Sequence, residues 1–134
     1  MSQSTFMTEM IETSRIVRDA TPRSLVLLDE IGRGTAMADG MAIASAVCHH
    51  LALAIRCRTL FATHFHQLSC LAKCVEGVSC HHVAVPEAGG QLVFSHRIQP
   101  GVALQSHGIA VATMAGLRGP VVQHARTIQA ELDV

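Results

Sequence analysis

The sequence predicts an α/β fold in which parallel strands alternate with helices. Residues 24–28 form a short run that is apolar on both faces, as in a parallel strand that is covered on both sides. Residues 58–62 predict a second buried strand, and a helical pattern over residues 39–56, with Asp39 as its N-cap, separates the two. Together they form a βαβ unit, whose strands should be parallel and connected right-handedly.

A further helix is predicted over residues 5–19, ahead of the first strand. Apolar side chains recur there at helical spacing, with acids in the first half and arginines in the second, which complements the helix dipole. Ser4 and Thr5 stand at its start, where hydroxyl groups cap helices, and Pro22 ends it.

The pattern changes after the second strand. Residues 65–73 predict a short helix, and residues 78–85 and 91–98 flank the turn sequence PEAGG, which predicts an antiparallel hairpin. Polar and apolar residues alternate in its second arm, so we expect that arm to be half-buried. A C-terminal helix–turn–helix follows, with one helix over residues 106–117 and another that begins near Pro120.

Composition limits the class of protein. The 134 residues suffice for one domain, and 49% of them are hydrophobic, with a formal net charge of zero. This balance argues against a free-standing nucleic-acid binder, which would have a basic surface. No apolar run approaches the roughly 18 residues of a membrane span, and the first residues lack the features of a signal peptide. The five cysteines read as reduced thiols, so we expect an intracellular protein that does not enter a membrane.

Polar residues end both of the predicted parallel strands. Asp29 and Glu30 follow the first, and Thr63 and His64 follow the second. Since the carboxyl ends of parallel strands meet at one edge of a sheet, we expect the two pairs to converge. The chemistry fits nucleotide hydrolysis: one acid can hold Mg²⁺, the other can act as a base toward water, and a histidine can contact the γ-phosphate. The alternative is that the acids merely cap a strand or start a turn.

Four segments stand in this order in the chain: STFMTEMIET, LVLLDEIGRGT, TLFATHF and GVALQSHGIAVATMAGLRGPVVQHAR. They resemble, respectively, the signature motif, the Walker B segment, the switch motif and the C-terminal helical segment in the C-terminal half of the ATPase domain of the MutS family, the motor of DNA mismatch-repair proteins. The chain departs from the usual family pattern at Ala36, Met37 and Ala38 after the Walker B loop, at Phe65 in place of Tyr, and at His107 and Arg118.

The resemblance implies a partial P-loop NTPase domain of the ABC type, with ATP and Mg²⁺ as cofactors. Residues 1–104 would form its α/β part, and residues 105–134 a helical dimerisation segment. Asp29 is similar to the Walker B aspartate that holds Mg²⁺ through water. Glu30 is similar to the general base, and His64 to the switch histidine.

The resemblance also assigns nucleotide contacts and partners. Ser4 and Thr5 stand where signature residues approach ATP held by the other subunit, and Thr63 belongs to the nucleotide-binding switch. The implied partners are a second MutS-type subunit, in a homo- or heterodimer, and mismatched double-stranded DNA, bound through domains absent from this sequence. A MutL-type partner is compatible with this scheme. The implied location is the cytoplasm for a bacterial protein, or the nucleus or mitochondrion for a eukaryotic one.

No GxxxxGK[ST] motif occurs in the chain. The phosphate cradle would therefore have to come from residues outside these 134, and we expect no ATP turnover by the isolated chain. The alternative function is a non-enzymatic dimerisation or regulatory module from a truncated MutS homologue.

Two further motifs were weighed against ordinary structural roles. Cys70, Cys74, Cys80 and the two histidines that follow could be imagined as a zinc site, but their spacing matches no common zinc template. The second C-terminal helix could read DNA, but its charges are too balanced for a helix held against phosphates.

Overall fold

The computed structural model describes residues 4–85, 87–88, 91–93, 96–103 and 107–132. The chain divides into two compact units. The first unit comprises Met1–Cys80 with Pro100–Val102, and the second comprises His81–Gln99 with Ala103–Val134.

The first unit contains the predicted βαβ arrangement. Its elements in chain order are α1 (Thr5–Asp19), β1 (Leu25–Asp29), α2 (Met37–His50), a π-helical turn (Leu51–Ile55), β2 (Arg58–Ala62), a 3₁₀ turn (His66–Cys70) and α3 (Leu71–Cys74). Strands β1 and β2 pair in parallel, with Asp29 opposite Ala62. This confirms the parallel pair, and it brings the carboxyl ends of both strands to the same sheet edge.

The two long helices of this unit begin differently. The Ser4 hydroxyl accepts a hydrogen bond from the Met7 amide at 3.2 Å, so Ser4 caps α1 as predicted. Helix α2 begins at Met37 after Ala36, which makes no side-chain cap hydrogen bond. The prediction of Asp39 as N-cap is therefore wrong. Asp39 lies within the first turn, where its charge still complements the helix dipole.

The end of α2 widens into the π-helical turn, which sequence periodicity did not indicate. Arg56 ends it with a left-handed backbone (φ +59°), and its amide donates to the Leu51 carbonyl at 2.8 Å. The combined helix Met37–Ile55 has a mean hydropathy of 1.4 and is long and apolar enough to cross a membrane. Core helices of soluble proteins also meet this criterion; 17% of the apolar window is buried here, with Ala44 and Leu51 completely buried in the core.

The core lies on one face of the two-stranded sheet. It contains Val26, Leu28, Ile31, Ala44, Leu51, Phe65, Leu68, Leu71 and Val75, and Ile16 of α1 and Ala20, directly after α1, pack against it. On the other face Leu25, Leu27 and Leu60 are 65%, 65% and 67% exposed. The prediction that β1 is covered on both faces is thus wrong for the described residues, because the helices that reach the core pack on the same side.

The second unit contains the hairpin and the C-terminal helices. Its elements are β3 (His81–Ala84), β4 (Glu87–Ala88), β5 (Gln91–Leu92), β6 (Arg97–Pro100), α4 (Gly108–Met114) and α5 (Gly119–Leu132). Strand β4 pairs antiparallel with β5, and β3 pairs with β6, so the predicted hairpin is present. Parts of the PEAGG turn lie outside the described residues. Strand β6 is exposed throughout, so the predicted half-buried arm over residues 91–98 is wrong at Arg97 and Ile98, the two residues of that arm that β6 contains.

Candidate functional site

The chain turns sharply where β1 ends. Asp29 is exposed, Glu30 is partly buried, and Ile31 is only 4% exposed and belongs to the core. Glu30 makes the turn with a positive φ of +50°, which few residues other than glycine adopt, and its amide donates to the Ala62 carbonyl at 2.9 Å. Strained backbone of this kind clusters at functional sites, where the surrounding contacts hold it in place.

An open cavity of about 390 Å³ lies beside this turn. It is lined by Thr5, Phe6, Glu9, Asp29, Glu30, Arg33 and Gly34. The structure therefore brings the two predicted acids together with the first residue of α1. Ser4, Thr63 and His64 are not part of the lining.

The two carboxylates have different surroundings. Glu30 forms an ion pair with Arg33, with 2.7 Å between Oε2 and Nη1, while the Arg33 side chain is 75% exposed. An exposed pair of this kind contributes about 0–1 kcal/mol, so a ligand can displace it at little cost. Within the part of the chain that the structure describes, no hydrogen bond or ion pair engages the Asp29 carboxylate, which leaves its oxygens available to a ligand.

The second polar pair lies at the same sheet edge, directly after β2. The Thr63 hydroxyl accepts a hydrogen bond from the Phe65 amide at 3.0 Å and so shapes the turn. The His64 ring stacks in a tilted arrangement on Phe65, with 4.3 Å between ring centroids. Phe65 is buried, whereas His64 is exposed and free to meet a ligand at this edge.

The donor chemistry of the edge fits Mg²⁺. Among the described residues, no group of three or more His, Cys, Asp or Glu side chains could hold a metal by protein ligands alone. Mg²⁺ does not need such a cage, because it is ordinarily held by one or two carboxylates together with water and phosphate oxygens. Asp29, exposed at the cavity with a second carboxylate beside it, offers that kind of donor.

Glu9 and Arg33 contact the site but were not predicted as site residues. From the sequence, Glu9 is expected only to complement the dipole of α1, as one of the acids in its first half. A signal was present: Phe6, Glu9, Thr13, Ile16 and Ala20 fall on one helical stripe, and Glu9 is its only charged member. A carboxylate within the core-facing stripe of a helix needs a partner there.

Comparison with known proteins decides the family. The family profile described as MutS domain V matches residues 1–133. The chain belongs to the MutS family. It is 51% identical over 133 residues to a protein of Desulfovibrio desulfuricans, 50% over 131 residues to one of Nostoc punctiforme, and 52% over 131 residues to one of Sorangium cellulosum. Each is named DNA mismatch repair protein MutS.

These alignments cover 98% of this chain but only 14%, 15% and 14% of the three relatives, respectively. The chain thus spans about one-seventh of the length of the MutS proteins that it matches. The family resemblance of its motifs is confirmed. The roles of Ser4, Thr5, Asp29, Glu30, Thr63 and His64 stay predictions.

Proposed function

We propose that this chain is the part of a mismatch-repair ATPase that carries the hydrolytic acids and the signature helix. The observation that supports this most directly is the cavity that Asp29 and Glu30 line together. It lies at the carboxyl end of a parallel strand, where α/β proteins bind ligands. The fold that suits this role is part of a P-loop NTPase domain of the ABC type.

Asp29 is the residue that would hold Mg²⁺, since its carboxylate is exposed at the cavity and has no partner within the described residues. When bound, Mg²⁺ would neutralise negative charge on the phosphate oxygens of ATP, which supplies the phosphoryl group. Glu30 would orient a water molecule and accept its proton, once its ion pair with Arg33 opens. His64 and Thr63, at the end of β2, would contact the nucleotide from the same sheet edge.

The proposed protein would act as a dimer, with Ser4 and Thr5 of one subunit approaching the nucleotide of the other. ATP binding and hydrolysis would be coupled to the binding of mismatched DNA, a role that the name of the relatives implies. Residues outside this chain would contact the DNA. A MutL-type protein would be a further partner. The relatives are bacterial, so we infer a cytoplasmic location if the source is a bacterium.

The test uses the longer protein that contains this chain. Glu30→Ala should leave ATP binding intact but lower turnover by roughly 10²–10⁴-fold, the usual contribution of a general base. His64→Ala should lower turnover more than binding, and Asp29→Asn should weaken the dependence of hydrolysis on Mg²⁺. Unchanged turnover in Glu30→Ala would rule out the base assignment.

A non-enzymatic dimerisation module is the second candidate. It is favoured by the apolar side chains that α4 and α5 expose: Val111, Met114, Val121, Ile128 and Leu132. Sedimentation of the 134-residue chain separates the two candidates when it is combined with an ATPase assay of the longer protein. Self-association of the chain, with no turnover by the longer protein, would favour the module.

A further inference from the structure

Helix α1 contacts the loop that follows the acid pair through a charged side chain. Glu9 is partly buried, and its Oε2 accepts a hydrogen bond from the amide of Gly32 at 3.4 Å, across 23 positions in sequence. Gly32 is buried, so its amide cannot be satisfied by bulk water and requires an acceptor from the protein. An ionised carboxylate is the strongest acceptor that a side chain offers to a backbone amide.

The same loop is enclosed on two sides. A Cβ built on Gly34 would lie 3.1 Å from Cβ of Phe6, so α1 contacts the loop one turn before Glu9 as well. On the other side, a Cβ built on Gly32 would lie 2.5 Å from the carbonyl oxygen of Gly40 in α2. The loop therefore lies between two helices at close range, and its placement depends on both.

The position of Gly32 makes the Glu9 contact relevant to the acids. Gly32 is two residues after Glu30 and directly precedes Arg33, which forms the ion pair with Glu30. The backbone between Glu30 and Arg33 is thus held near its middle by Glu9. Any displacement of this amide would move both charged side chains relative to the cavity.

We propose that Glu9 is a positioning residue, which holds the Gly32 amide and thereby sets the placement of Glu30 relative to α1. The effect of Glu9 on ATP turnover rests on the proposed function, whereas the hydrogen bond between Glu9 and the Gly32 amide does not. The contact also joins the two motifs that line the cavity, because Glu9 is four residues after Thr5 on the same helix. A movement of the first turns of α1 would displace Glu9, and through the Gly32 amide it would also displace Glu30.

The test compares Glu9→Ala and Glu9→Gln in the longer protein that contains this chain. Glu12→Ala is the matched control, because Glu12 is an exposed glutamate on the same helix. Neither Ala nor Gln weakens a helix, and far-UV circular dichroism would verify that α1 is retained. Two properties are measured: amide hydrogen exchange of residues 30–35 without nucleotide, and kcat and KM for ATP hydrolysis.

Glu9→Ala should raise the exchange rate of residues 30–35 by about tenfold or more, because the Gly32 amide loses its acceptor. It should lower kcat by roughly ten- to a hundredfold with little change in KM, as expected when a reacting group is misplaced. Glu9→Gln, which keeps an acceptor oxygen, should recover most of both properties, and Glu12→Ala should match the unaltered protein.

Unchanged exchange in Glu9→Ala would overturn the proposal, as would faster exchange with unchanged kcat. A Glu9→Gln variant as impaired as Glu9→Ala would overturn the role of the hydrogen bond. Absence of ATP hydrolysis by the unaltered protein would instead overturn the proposed function, and hydrogen exchange would still decide whether Glu9 holds the loop.

Discussion

Replacement of Gly32 by alanine should disrupt the contact between the acid loop and α2. Gly32 has a φ of +87°, a conformation that costs an L residue roughly 1–2 kcal/mol. The added Cβ would also lie 2.5 Å from the oxygen and 2.8 Å from both the carbonyl carbon and Cα of Gly40. Carbon atoms in good contact are about 3.5–4.0 Å apart, so the backbone of the loop or of α2 would have to move.

Such overpacking costs about 1–3 kcal/mol, in addition to the φ term. The expected loss for Gly32→Ala is therefore about 2–5 kcal/mol, a large part of the stability of a small domain, about 5–15 kcal/mol. Gly77→Ala is the matched control in the same unit. Gly77 has a φ of +85°, but its added Cβ would have no neighbour within 4 Å. Gly77→Ala should therefore lose only the roughly 1–2 kcal/mol that the positive φ costs an L residue.

The assay is equilibrium unfolding in urea, followed by circular dichroism, of the unaltered chain and both variants. With a slope of about 1–3 kcal/mol per M, the midpoint of Gly32→Ala should lie about 1 M below that of Gly77→Ala. Equal midpoints for the two variants would refute the reasoning, because they would mean that the close approach of Gly32 and Gly40 contributes nothing.

Three further predictions concern other parts of the first unit. Ser4→Ala should destabilise the chain by about 1 kcal/mol in the same urea assay, since α1 loses its N-cap hydrogen bond; an unchanged midpoint would contradict the cap. Burial raises the pKa of the Cys48 thiol, and the neighbouring Cys80 adds to this shift. At mildly alkaline pH less Cys48 is therefore thiolate, and iodoacetamide should modify it more slowly than the exposed Cys74, as mass spectrometry of the labelled peptides would show. Leu27→Thr should change stability by less than about 0.5 kcal/mol but reduce self-association in light scattering, because Leu27 is 65% exposed on the open sheet face.

Sequence patterns predicted α1 and β2 correctly, because the signals for these elements lie within a few residues of each other. The bounds of α1 and β2 agree with the predicted residues 5–19 and 58–62, because helical spacing, the Ser4 cap and a short β-forming run are all read within a few residues. The start of α2 was misplaced because Asp39, a good cap by type, follows Ala36, a poor cap that nevertheless occupies the position. Capping preference is worth about 1 kcal/mol, which tertiary packing can override.

The open sheet face shows a different limit of sequence patterns. Leu25, Leu27 and Leu60 have the apolar character of a covered face, yet the described residues leave them exposed. A strand's composition indicates that a face suits burial, but it does not say which segment buries it. The parallel pairing of β1 and β2, by contrast, follows from the helical crossover between them and was predicted.

The site was predictable where its residues follow directly from strand ends. The placement of Asp29, Glu30, Thr63 and His64 at one sheet edge was predicted because parallel strands bring their carboxyl ends together, whereas their roles stay predictions. The contact of Glu9 with Gly32 was not predicted, because it joins residues 23 positions apart and depends on how α1 packs against the core. The only sequence signal for this contact was the charge of Glu9 within a core-facing stripe. Such a charge indicates that a buried partner exists but not which residue it is.

The structure separates two carboxylates that sequence alone could treat only as a pair. Asp29 continues the strand opposite Ala62 and is exposed, and its carboxylate has no hydrogen bond or ion pair among the described residues, as suits a ligand for a cation. Glu30 leaves the strand with a positive φ, its amide donates to the Ala62 carbonyl, and it precedes a loop that Glu9 and Gly40 hold on either side. A general base must be held in one geometry to accept a proton at a defined place, whereas a metal ligand that acts through water tolerates more freedom. The contacts that hold the turn at Glu30 therefore support our proposal that Glu30 is the base.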